Sequence, residues 1–74
     1  MTSSPSLTGK QLLAVLKKVG FEVLRVKGSH HFIRHHDGRS TVVPIHAGET
    51  IGPGLLAKIL RDCEFTRVQL RALL

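Results

Sequence analysis

The stretch Lys27-Gly28-Ser29-His30-His31-Phe32-Ile33-Arg34 sets a glycine, a hydroxyl and two adjacent imidazoles between basic residues. Histidine, with an ordinary pKa of about 6.5, takes or gives a proton near neutral pH. Glycine lets the backbone adopt angles closed to other residues, or approach a ligand closely. In a short basic chain this combination points to chemistry on a phosphate-bearing substrate. The same residue types also suit a solvated strand surface, and on their own they leave both readings open.

Charge gathers where those residues are. The 74-residue chain has a net charge of +6. Residues 10–39 hold seven lysines and arginines against two carboxylates, and the rest of the chain four against three. Such a field attracts polyanions. Nucleic acid is favoured over an anionic membrane, because no basic amphipathic helix carries bulky aromatics. No apolar run reaches transmembrane length and no signal-peptide pattern opens the chain, so a cytoplasmic protein without membrane partners is expected. The single cysteine, Cys63, excludes an internal disulfide and sits at an apolar helical position, as a small core residue would. At this length one domain has only a marginal core, so any site must lie on the surface or in a shallow groove.

The elements that must hold the histidines follow from pattern. Residues 1–7 are small and polar with Pro5 and read as a disordered lead-in, leaving 8–74 as a single domain. Thr8-Gly9-Lys10-Gln11 is a capping box, followed by Leu12, Leu13, Val15, Leu16 and Val19 at helical spacing and by Gly20 as the stop. Phe21–Val26 reads as a first strand, His30–His35 as a second and Ser40–Ile45 as a third, with Asp37-Gly38 turning between the last two. Pro44 lacks a backbone donor, which places the third strand at an edge or ends it there. Pro53 suits the first turn of a helix whose apolar stripe is Leu55, Leu56, Ile59, Leu60 and Cys63. Thr66-Arg67-Val68-Gln69 is a second capping box that opens a short C-terminal helix. The order α-β-β-β-α plus that helix predicts an α+β fold, a three-stranded antiparallel sheet with helices on one face, as in the double-stranded-RNA-binding domain (dsRBD).

Four segments in this order resemble a known family. They are Gly20-Phe21, then Lys27-Gly28-Ser29-His30-His31, then Val42-Val43-Pro44-Ile45-His46, then Glu49-Thr50-Ile51-Gly52-Pro53-Gly54-Leu55-Leu56-Ala57-Lys58-Ile59-Leu60-Arg61-Asp62. Over roughly residues 10–64 the chain is similar to the HicA toxins, also called the YcfA-like family. The resemblance implies a dsRBD-like fold and an endoribonuclease toxin (an mRNA interferase) that cleaves mRNA. It also implies a HicB-like antitoxin protein as partner. The family's essential histidine lies in the Gly-Ser-His motif, which falls on His30.

The chemistry of these residues agrees. RNA is cleaved without metal when a base takes the 2′-hydroxyl proton and the oxygen attacks the adjacent phosphate; neighbouring cations stabilise the charge that develops there. His30 is the candidate base. Lys27, Gly28, Ser29 and Arg34 are candidates to hold the RNA, the glycine and serine through backbone donors. His31 and His46 are candidates for a second or alternative catalytic group, and the general acid stays open. Adjacent imidazoles on a strand point to opposite faces, so His30 with His31, or His35 with His36, cannot easily chelate together. No metal site and no small-molecule cofactor is therefore expected, and His35 and His36 read as solvated residues beside the hairpin. A non-catalytic RNA-binding module on the same scaffold is the alternative.

Overall fold

The computed structural model describes residues 6–74. Its elements run α1 (Gly9–Lys18), β1 (Phe21–Lys27), β2 (His30–His35), β3 (Ser40–Pro44), α2 (Pro53–Asp62) and α3 (Arg67–Ala72). The strands form one antiparallel sheet in the order β1-β2-β3. This is the expected α+β layout. Both capping boxes form, with the Thr8 hydroxyl accepting from the Gln11 N–H and the Thr66 hydroxyl from that of Gln69. Each satisfies amide donors that a helix start leaves unpaired. β3 is an edge strand and Pro44 is its last residue, where a missing donor costs least.

Among the described residues, only one face of the sheet is covered. Leu12, Leu13, Val15 and Leu16 of α1 and Leu56, Ile59 and Leu60 of α2 pack on Phe21, Ile33 and Val43. Cys63 is buried with them, and burial pushes its thiol up to about 11, as suits a core residue rather than a nucleophile. Residues 1–5 of the lead-in expected over 1–7 lie outside the described residues. Leu7 is in the core, and its carbonyl accepts from the Ile51 N–H at 2.8 Å. α3 seals the bottom of the core with Leu70, while Val68 and Leu74 stay exposed.

Side-chain alternation along the strands has one interruption. The β1–β2 register runs Val23 opposite Ile33, then Arg25 opposite Phe32, so Leu24 is an extra residue, a β-bulge. Strict alternation from Phe21 would send Arg25 and Lys27 toward the helices. The bulge flips that parity, leaves Leu24 62 % exposed and turns Arg25 and Lys27 to the uncovered face.

His35 corrects the sequence reading. Expected in solvent beside the hairpin, it is buried, because it alternates with Ile33 toward the helices. Its Nε2–H donates to the Val19 carbonyl at 3.1 Å, and its Nδ1 accepts from the Asp37 N–H at 3.2 Å. The ring meets Phe21 edge-on, with centroids 5.2 Å apart. It thereby ties the end of α1 to the β2–β3 turn. Gly20, at φ +104°, runs so close that an added Cβ would lie 2.7 Å from His35 Nε2. Gly20→Ala therefore adds left-handed backbone strain and disturbs a buried hydrogen bond, about 2–3 kcal/mol together. The expected result is a Tm lower by roughly 10 °C in thermal circular dichroism. A fall of less than about 2 °C would show that neither the backbone strain nor the close approach to His35 is felt.

Candidate active site

His30 is set by a tight hairpin. β1 ends at Lys27, Gly28 and Ser29 make the turn, and His30 opens β2 as the register partner of Lys27. A two-residue hairpin loop needs positive φ at its first central position, and Gly28 supplies it at +60°. Directly opposite residues in an antiparallel pair hold their Cβ atoms about 5 Å apart, so the Lys27 side chain starts beside the imidazole. On its other side His30 faces Pro44 of β3.

Alternation along β2 puts His30, Phe32 and Arg34 in a row on the uncovered face. The Arg25 guanidinium lies over the Phe32 ring at 4.4 Å. His30, Lys27, Arg25 and Arg34 are all exposed. None of these three cations has a carboxylate within ion-pair distance among the described residues. Arg39 and Lys58, by contrast, are engaged. Arg39 donates to Asp37 at 2.9 Å, which holds that carboxyl down at about 2, and Lys58 donates to Asp62 at 2.8 Å. Asp62 also accepts from the Thr41 hydroxyl, and these two bonds keep its pKa below the usual carboxylate range.

The remaining candidates are spread around this face rather than gathered on it. His31 points to the helix side, half-buried, with its Nδ1 3.1 Å from the Ser29 carbonyl. It cannot share one phosphate with His30. The Ser29 carbonyl also accepts from the Ile45 N–H at 2.8 Å, which fastens the turn to the end of β3. His46 is exposed, with Nδ1 3.8 Å from a Glu49 oxygen. It lines a shallow depression with Pro44, Thr50, Gly52 and Leu55. Pro44 is common to that depression and to the surroundings of His30. His36 is exposed, as expected. No three His, Cys, Asp or Glu side chains gather as a metal would require, among the described residues. No helix among them is long and apolar enough to cross a membrane.

Arg25 and Phe32 share the face of His30 and were passed over by sequence reasoning. The signal for Phe32 was available, since it sits two residues from His30 on an alternating strand. Arg25 was hidden by the bulge.

In comparison with known families, residues 9–65 match a family described as HicA toxin of bacterial toxin-antitoxin. No curated protein matches the chain.

Proposed function

The chain belongs to the HicA toxin family, and from that premise we propose that it is a metal-independent endoribonuclease that cleaves mRNA in the cytoplasm, restrained by a HicB-like antitoxin. The observation that carries this reading is the row on the uncovered sheet face, with His30 beside Lys27 in register and Phe32, Arg25 and Arg34 next along it.

In this reading His30 takes the proton from a ribose 2′-hydroxyl. The 2′-oxygen forms a bond to the adjacent phosphorus, and the bond from phosphorus to the 5′-oxygen breaks. Lys27 stabilises the charge that grows on the non-bridging oxygens, and Arg34 anchors a phosphate further along the strand. A base stacks on the Arg25–Phe32 pair, as single-stranded bases do on aromatic and guanidinium planes. The 5′-oxygen leaves with a proton from water or from His46, the imidazole that shares Pro44 with this site. Products then carry a 2′,3′-cyclic phosphate and a 5′-hydroxyl.

His30 makes no hydrogen bond to an orienting group among the described residues, which favours the alternative of a binding module. Incubation of the purified chain with mRNA in excess chelator separates the two. Fragments ending in a 2′,3′-cyclic phosphate are the expected result. RNA that is bound but stays intact would leave only the binding module.

A further inference from the structure

On the helix side of the sheet, opposite the face that carries His30, Lys10, Leu13, Ala14 and Lys17 of α1 form a groove of about 390 Å³ with His31 and Ile45. That volume suits one small-molecule-sized group. The floor is apolar. The two lysines stand two helical turns apart, about 10 Å along the axis, and neither is paired to a carboxylate among the described residues.

His31 decides what the groove is made for. A carbonyl can only accept, so the bond to the Ser29 carbonyl puts the proton of the neutral ring on Nδ1. Nε2 is then an acceptor, and it has no protein partner among the described residues. The groove thus brings two cations and the acceptor of His31 together over an apolar floor. A carboxylate-rich peptide would satisfy the lysines, yet it gives Nε2 no donor. A ribonucleotide strand supplies phosphates for both lysines and a 2′-hydroxyl donor for His31, with a base to cover the apolar floor. We propose that the groove between α1 and the start of β2 is a second RNA subsite, holding one nucleotide of a single-stranded RNA, with Lys10 and Lys17 on its flanking phosphates and His31 Nε2 accepting from its 2′-hydroxyl. The subsite rests on the RNA-directed reading above. It makes His31 a positioning residue and extends the RNA path around the Gly28-Ser29 turn from one sheet face to the other.

The test uses the full chain carrying His30→Ala, so that RNA survives, and measures binding of a short oligoribonucleotide and its deoxy counterpart across a salt series. Replacing Lys10 and Lys17 together by alanine lowers the log–log salt slope by about 1.4, at about 0.7 per single-strand phosphate contact. His31→Phe keeps the ring volume but loses the acceptor. It weakens RNA about 5-fold, the worth of one hydrogen bond, and leaves DNA unchanged. Ala14→Leu, a good helix former on an exposed position, fills the groove and weakens both strands. An RNA affinity and slope indifferent to Lys10, Lys17 and Ala14 would overturn the subsite. So would a lysine pair whose loss weakened only the hold of an acidic partner protein, since the groove would then be a protein contact. The two readings fail separately: wild-type chain that leaves RNA intact removes the ribonuclease, whereas groove-independent binding removes only the subsite.

Discussion

Replacing His30 by alanine is expected to abolish growth arrest and mRNA cleavage while leaving the fold intact. General acid–base catalysis by one positioned side chain contributes about 10²- to 10⁴-fold, so the loss is large enough to read in cells and in purified protein. The fold should survive, because His30 is exposed at a strand start and its ring makes no hydrogen bond to the chain among the described residues. Equal protein levels and an unchanged thermal transition are the controls. The neighbouring variant makes the result diagnostic. His30 and His31 lie on opposite faces of β2, so one reacting phosphate meets only one of them. His31→Ala is expected to raise KM and spare kcat, as loss of a contact equal in ground and transition states does. A toxic His30→Ala chain, or a kcat collapse on His31→Ala with KM steady, would move the base to the helix side.

Much of this site could be read from the chain, and what was hidden has a physical cause. Caps and turns are local devices, so Thr8, Thr66, Gly20 and Asp37-Gly38 announced the element boundaries directly. Pro44 announced an edge because a missing donor is a local fact. The position of His30 at a strand start followed from the glycine before it. The face that each strand residue occupies depends on register, which is not local. Arg25 and Lys27 share a face with His30 only because Leu24 is an extra residue in β1, and nothing in Phe21-Glu22-Val23-Leu24-Arg25-Val26-Lys27 states where an insertion will fall. His35 was misplaced for the opposite reason. Alternation from Ile33 did point it inward, but its polarity and its place beside a turn argued for solvent. What overrides that argument is a pair of partners, the Val19 carbonyl and the Asp37 N–H, that appear only when α1 and the turn come together.

Those same two faces set the terms for inhibition. A toxin family of this kind implies an antitoxin, and a base on an open sheet is stopped most simply by covering it. The uncovered face carries Arg25, Lys27 and Arg34 with no carboxylate paired to them among the described residues, so an acidic partner is drawn to it and the encounter slows as salt rises. Apolar area to hold the complex lies close by, in Leu24 at 62 % exposed and in the half-buried Phe32, Val42 and Pro44. The expected complex therefore has a HicB-like antitoxin laid across the β1–β2–β3 face. Hydrogen exchange should slow at the Lys27–His30 turn and along β3, α1 and α3 should change little, and cleavage should be lost. Reversing charge with Lys27→Glu and Arg34→Glu should lower the association rate by more than tenfold at low salt and by much less at high salt, because steering is screened over about 10 Å at 0.1 M. Protection confined to α1, α2 or α3, with His30 still open to solvent in a structure of the complex, would exclude occlusion. The antitoxin would then have to act by displacing the RNA path on the helix side or by distorting β2 from beneath.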